Sequence, residues 1–443
     1  MQTEAQPTEM SLEDALKYAV QLHQDARFDA AETIYTRILE AVPDLPDALH
    51  FLGVLRHQRG KSEEAIALIR RAIELSPGHP DSYLNLGNVL AESNNFDAAV
   101  VAYEETLKLA PRNPGVYNNI GVIHKLRREW DLAESAYRKA IELAPDNASA
   151  YNNLGLLFAA RGMIKEAVKY YCESITKMPG NPDSRRLLGT AYYTLGKTRE
   201  AAEVFRQWLA DSPDDPVARH MLAACSGEAV PDRAADAYVE YTFDKFANSF
   251  DEQLQQNLAY RAPEIVADAV REALPDIAPA SLAILDAGCG TGLCGPLLRS
   301  LASQLDGVDL SGGMLTKASA RQCYDKLEKG ELTAYIAAHT AAWDVIVSAD
   351  TLVYFGPIDA VCQAARTALR PAGLLVFTVE KLAAEDAPAG FRIQPHGRYA
   401  HDKDYVSATL ATTGFTPRRI EEVHLRNEGG NPVMGWLVVA SAD

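Results

Sequence analysis

Little in this 443-residue chain meets the demands of a special environment. Its six cysteines (172, 225, 289, 294, 323 and 362) form no CxxC pair and no Cys/His cluster at metal-ligand spacing. A disulfide framework and a zinc site are therefore not expected, and the thiols read as reduced. Long apolar runs are missing; stretches such as Leu374–Phe377 fall far short of a membrane span. Positive charge is scarce, with 43 Lys/Arg against 60 Asp/Glu and a net charge of −17. Sequence-independent nucleic-acid binding needs a basic face to displace counterions, so neither nucleic acid nor membrane is an expected partner. The start, Met1–Asp14, is polar and acidic without the apolar stretch of an export signal, and a cytoplasmic location is expected. What is present, 47% apolar and 23% charged residues, is the mixture of a globular chain long enough for two or three domains.

A strict period organises the first half. Pro43, Pro77, Pro111, Pro145, Pro179 and Pro213 stand 34 residues apart. Each falls where a second helix must end, since proline cannot continue it. Ahead of each stands an alanine (Ala31, Ala65, Ala99, Ala133, Ala167, Ala201), where helix-on-helix contact leaves room for a methyl alone. Gly53, Gly87, Gly121, Gly155 and Gly189 mark the close-packed point of the first helix, with Ala19 standing in at the start. Between alanine and proline a large apolar residue recurs: Tyr35, Ile69, Tyr103, Tyr137, Tyr171 and Phe205. Two antiparallel helices per 34 residues is the tetratricopeptide period. Over about residues 12–215 the chain resembles the tetratricopeptide-repeat (TPR) family, which implies a superhelix whose inner groove is lined by the first helices. Asn85, Asn119 and Asn153 recur at a groove position, flanked by Phe51 and Leu187 where the series breaks. Asparagine donates and accepts at once, so such a ladder can grip an extended peptide backbone; it is also simply frequent at this position.

After Pro213 the period fades. Pro216–Cys225 reads as a helix capping the stack, and residues 226–240 as a linker. Helical stretches are expected at Tyr238–Phe250, Gln253–Arg261 and Pro263–Leu274. Short apolar strands then alternate with helices: Ala283–Ala287, Gln304–Asp309, Asp344–Ala349, Leu374–Val379, Pro417–Leu425 and Trp436–Ala440. That alternation predicts a mostly parallel sheet covered on both faces. The first strand runs into a glycine-rich turn, Ile284–Gly295 (ILDAGCGTGLCG), with glycines two apart at Gly288, Gly290 and Gly292. Glycines so placed let a ligand approach bare backbone at the carboxyl end of a strand. Asp286 precedes the turn, and Asp309 ends the next strand 23 positions on.

This spacing, rather than the GxGxxG of dinucleotide binders, makes residues 241–443 resemble the class I S-adenosylmethionine (SAM) methyltransferases. The resemblance implies that Gly288–Gly292 wrap the methionine end of SAM and that Asp286 lies beside its amino group. It implies that Asp309 takes both ribose hydroxyls, that Met314 stands against the adenine, that Leu310 is a further cofactor-binding residue, and that Glu331 receives the adenine amino group. Asp350 and Tyr354, in SADTLVYFG, are then expected over the sulfonium side. LVYFG, the Val-Glu ending at Glu380 and GRYAH together resemble predicted TPR-containing methyltransferases related to trans-aconitate methyltransferase. Glu380, His396, Arg398, Tyr399 and His401 are the remaining acceptor-side candidates. Arg398 would serve as a cationic clamp for a carboxylate, whereas His401, His396 or Glu380 would serve as base for a protonated acceptor. Phe243, Phe246, Phe250 and Tyr260 would form either a lid over the cofactor or a core-packing helix face.

The expectation is thus a multidomain chain: an all-α TPR superhelix of six repeats with a cap (12–225), a linker (226–240), and an α/β, Rossmann-like methyltransferase with a seven-stranded mostly parallel sheet (241–443). The catalytic fold is expected to be self-sufficient from about Asp236. Two functions follow. In one, the groove recruits a peptide or protein for SAM-dependent methylation. In the other, a carboxylic acid or carrier-bound acyl group is methylated, and the repeats serve scaffolding or formation of a homodimer.

Overall fold

The computed structural model describes residues 10–247, 260–383, 385, 389–428 and 431–442. It divides into two compact units, Met1–Ser184 and Arg185–Asp443. The helices run in pairs: α1 (Leu12–Gln24) and α2 (Phe28–Ala41), α3 (Pro46–Gln58) and α4 (Ser62–Leu75), α5 (Pro80–Glu92) and α6 (Phe96–Leu109), α7 (Pro114–Leu126) and α8 (Trp130–Leu143), α9 (Ala148–Ala160) and α10 (Ile164–Lys177), α11 (Pro182–Thr194) and α12 (Thr198–Asp211). Helix α13 (Pro216–Ser226) follows.

Each periodic residue has a packing reason. The six alanines, Ala31 to Ala201, are 0% exposed. A Cβ on Gly87, Gly121 or Gly155 would stand 2.5–2.6 Å from the ring of Tyr103, Tyr137 or Tyr171, so the first helix can meet the second only as glycine. Ion pairs repeat as well: Arg59 with Asp29, Arg127 with Asp97 and Arg161 with Asp131 tie one helical pair to the next. Exposed as these are, they contribute little stability each, about 0–1 kcal/mol. No described helix is long and apolar enough to cross a membrane.

In the second unit, helix α14 (Asp236–Phe246) and helix α15 (Ala262–Ala273) precede the sheet. The helix expected at Gln253–Arg261 lies almost wholly outside the described residues, as does Phe250. The strands are β1 (Leu282–Ala287), β2 (Ala302–Asp309), β3 (Lys326–Lys329), β4 (Trp343–Ser348), β5 (Leu369–Lys381), β6 (Phe391–Ile393), β7 (Tyr399–His401), β8 (Thr416–Glu428) and β9 (Asn431–Ser441). Strands β3-β2-β1-β4-β5 are parallel; β9 is antiparallel to β5, and β8 to β9. Buried apolar residues cover both faces, with Leu285, Ile346 and Phe377 on one and Ile284, Val345 and Val376 on the other. Seven strands were expected; among the described residues there are nine. The two additional strands, β6 and β7, form a hairpin whose second strand pairs with β5 at Glu380 and Lys381, past the end of β4. Their short, mixed sequence carries no alternation by which to recognise them. The hairpin extends the carboxyl edge of the sheet, where ligands bind in this architecture.

Candidate functional site

A cavity of about 270 Å³ opens at that carboxyl edge. Strand β1 delivers Asp286 and then turns sharply: Gly288, Gly290 and Gly292 have φ of +77°, +54° and +81°, which side chains rarely adopt. Gly290 has nothing within 4 Å of where a Cβ would stand, so its backbone faces open space. Its N–H donates to Asp309 Oδ2 at 2.9 Å, and the N–H of Ser311 donates to Oδ1 at 2.8 Å. Burial raises the Asp309 carboxyl above its ordinary range, against these amides. Asp286 is 1% exposed; the Tyr324 hydroxyl donates to Oδ2 at 2.6 Å, and Oδ1 has no partner among the described residues. Burial pushes this carboxyl up to about 7; the Tyr324 bond opposes the shift and the nearby Asp309 charge adds to it.

Leu310 and Met314 give the cavity apolar walls, and Glu331 lines it after β3. Glu331 also caps helix α16 (Leu332–Ala337), its two oxygens accepting from the amides of Thr333 at 3.1 Å and Ala334 at 2.8 Å. Across the cavity, α14 docks Asp244 on the turn after β2, accepting from the Ser311 hydroxyl and from the Gly313 amide at 3.0 Å. Phe243 meets Tyr354 edge-on at 5.6 Å, and Phe243 and Tyr260 both line the cavity.

At the other end the charges are tightly paired. Asp350, at φ +55°, receives both its bonds from Arg426 Nη1, at 2.7 and 2.8 Å. Arg426 also pairs with Glu380, which accepts from Arg398 Nε at 2.7 Å, and Arg398 pairs with Glu428. His396 Nε2 stands 3.5 Å from Glu380 Oε2. Although burial works against it, the guanidiniums of Arg398 and Arg426 hold Glu380 below the usual carboxylate range. Burial, with Arg398 adding to it, pushes His396 down to about 4, so that ring is neutral near pH 7.

Of the seven acceptor-side candidates, Asp350, Tyr354 and Arg398 line the cavity. Glu380 and His396 stand behind Arg398. Two expected roles need correction. Tyr399 turns its hydroxyl to the carbonyl of Pro231, and His401 is fully buried with Nε2 2.8 Å from the carbonyl of Gly356. Both hold the sheet edge to neighbouring backbone, and neither faces the cavity. The clamp expected of Arg398 is already engaged by two carboxylates. In the repeats, Asn85 Nδ2 lies 2.7 Å from His50 Nε2, Asn119 donates to Asn88 Oδ1 at 3.1 Å, and Asn153 donates to Asn118 Oδ1 at 2.8 Å. The amide nitrogens thus bond along the stack.

Arg426, Tyr324 and Asp244 escaped the sequence reading. Arg426 and Tyr324 are single residues far from any motif, and nothing local marks them. Asp244, an acid amid the phenylalanines expected over the cofactor, was the one legible signal. Residues 231–235, read as linker, are a cavity wall: Arg233 and Ala234 line it, Ala234 N–H donates to the Tyr354 carbonyl at 2.8 Å, and Gly356 N–H donates to that of Asp232 at 2.7 Å.

Residues 285–375 match the family model of a methyltransferase domain; residues 44–112, 114–178 and 158–225 match models of the tetratricopeptide repeat. Human methyltransferase-like protein 27 is 39% identical over 103 residues, 23% of this chain and 40% of that protein. The malonyl-[acyl-carrier protein] O-methyltransferase of Enterobacter lignolyticus (strain SCF1) is 32% identical over 122 residues, 28% of this chain and 47% of that protein. The chain therefore spans less than half the length of these curated relatives. Among solved structures, that of MamA aligns at 26% identity with a TM-score of 0.34, covering 36% of this chain and 93% of the other. The chain carries tetratricopeptide repeats and a class I methyltransferase domain.

Proposed function

We propose that the C-terminal domain, from about residue 241, binds SAM and transfers its methyl group, and that the repeats recruit the peptide or protein that accepts it. The unpartnered Asp286 Oδ1 carries the cofactor half of this reading. A buried carboxylate oxygen without a donor is costly unless a ligand supplies one, and an ammonium does so with charge complementarity. Gly290 leaves room for the methionine backbone, and the Asp309 carboxylate, held by backbone amides that include those of Gly290 and Ser311, lines the cavity with lone-pair capacity left for a ribose hydroxyl. Leu310 and Met314 fit the adenine faces, and Glu331 its amino group. The bound sulfonium supplies an activated methyl for in-line displacement. The chain's own part is to hold the acceptor in line, to exclude water with Phe243, Tyr260 and Tyr354, and to present the Tyr354 hydroxyl, for which the described residues offer no hydrogen-bond partner.

Recruitment of a polypeptide is supported by Tyr193. This residue of α11 packs on the same apolar cluster as Tyr354, so the last repeat reaches the wall of the acceptor end. The second reading, a carboxylic acid or carrier-bound acyl acceptor with scaffolding repeats, draws on Arg398 and Arg426 at the cavity. Against it, both guanidiniums are already paired with acids. Radiolabelled SAM added with the enzyme to a lysate lacking it separates the two. Label in a protein band supports polypeptide methylation; label confined to small molecules supports the other reading.

A further inference from the structure

The hairpin that brings Arg398 to the cavity is held by the helix that follows the repeats. His220 of α13 is 4% exposed, its ring stacked on Tyr238 with centroids 3.9 Å apart. Its Nε2 lies 2.7 Å from the carbonyl oxygen of Gly397. A carbonyl only accepts, so Nε2 carries the proton; burial lowers the affinity of this ring for a second one, so it serves as a neutral donor. Gly397 sits at φ +89°, where a Cβ would stand 3.1 Å from both Met221 Sδ and the Tyr238 hydroxyl. The loop meets the helix with no room to spare. One turn on, the Cys225 thiol donates to the carbonyl of Pro395 at 3.6 Å, and Ala224 is buried with Ile393 and Tyr399.

The peptide plane between Gly397 and Arg398 is therefore fixed by a bond from outside the sheet, and that plane sets the direction in which the arginine leaves the backbone. We infer that His220 is a positioning residue for the acceptor end: by holding the Gly397 carbonyl it sets Arg398 against Glu380 and the cavity. The role rests on the reading of that end as the acceptor site, and it makes the cap of the repeats a working part of the methyltransferase unit.

Two full-length variants test this. His220→Phe keeps a ring against Tyr238 but has no donor, and His220→Gln keeps a donor. The reporter is the NMR titration of His396, which stands in the same loop and is faced by Glu380, Glu428, Arg398 and Arg426. In the wild type and in His220→Gln it should remain neutral down to the region of pH 4. In His220→Phe its midpoint should rise by more than about one pH unit toward the ordinary histidine value. Affinity for S-adenosylhomocysteine should change less than about twofold, a small fraction of the loss expected from removing a direct contact. A His396 midpoint unmoved in His220→Phe, or unrestored in His220→Gln, overturns the inference. If His220→Phe does not fold, Gly397→Ala strikes the same contact from the loop side, and an unshifted His396 there overturns it equally. Absence of S-adenosylhomocysteine binding in the wild type refutes the cofactor reading instead, and leaves the His396 comparison to decide the positioning role.

Discussion

At the glycine-rich end of the cavity the chain leaves polar capacity unused, with Asp286 Oδ1 unpartnered among the described residues and Gly290 facing open space, whereas at the other end Asp350, Glu380, Glu428, Arg398 and Arg426 are engaged with one another. An unpaired buried carboxylate waits for a charged ligand. A network of charges supplies instead a rigid wall: Glu380 and Glu428 are each held by both arginines, Arg398 and Arg426 each hold at least two acids, and Asp350 is gripped through both oxygens by Arg426. On the proposed reading the two ends divide the work accordingly: one would receive the cofactor by charge, the other the acceptor by shape and by the Tyr354 hydroxyl.

Perturbations of the wall should be more damaging than those of the receiving end. The most severe is truncation. A fragment beginning at Asp236 lacks His220 and the carbonyls of Pro231 and Asp232, and should expose the β6–β7 hairpin to rapid hydrogen exchange; one beginning at Arg185 should match the full chain. Equal exchange in both fragments would restore the self-sufficient catalytic domain that the sequence implies. Next is Arg426→Leu, which leaves Asp350 and Glu380 buried without their shared counter-charge. It should cost about 3–5 kcal/mol in a denaturant titration, the usual penalty of removing one partner from a buried pair. A loss under about 1 kcal/mol would show the network to be no stronger than a surface salt bridge.

The receiving end should show itself through pH. With its carboxyl raised to about 7, Asp286 binds a proton more tightly in the folded protein than in the unfolded chain. Its contribution to stability is present below the unfolded carboxylate value and is lost as pH rises through about 7. An ammonium competes with that proton, so affinity for S-adenosylhomocysteine should rise roughly tenfold between pH 5.5 and 7.5, and Asp286→Asn should flatten the dependence. A flat wild-type profile would place the ammonium elsewhere. The smallest effect is expected in the repeats, where Asn119→Ala removes the bond to Asn88 and should lower stability by about 0.5–1.5 kcal/mol. Because Asn85, Asn119 and Asn153 bond along the stack, their loss touches stability as well as any peptide. Binding data on such variants therefore need a thermal-melt control.

The same contrast explains what was legible in the sequence. The repeats and the glycine turn are local: Ala99, Gly87 and Tyr103 recur because one hairpin packs like the next, and Gly288, Gly290 and Asp309 are read from a strand, a turn and the following strand. The acceptor wall is not local. Asp350, Glu380, Arg398 and Arg426 follow β4, stand next to last in β5, immediately precede β7 and lie in β8, so only the folded sheet brings them together. His401 and Tyr399 misled for the same reason. A polar residue in a short stretch without alternation looks available until its neighbours, here Gly356 and Pro231, are known.

Calorimetric titration of the full-length protein with S-adenosylhomocysteine, set beside Asp309→Ala, tests the central claim most directly. The expected result is one-to-one binding by the wild type and a loss of about 2–4 kcal/mol in the variant, the cost of removing a paired, charged hydrogen-bond acceptor. Equal affinity in the two proteins, or no binding by a folded wild type, would contradict it.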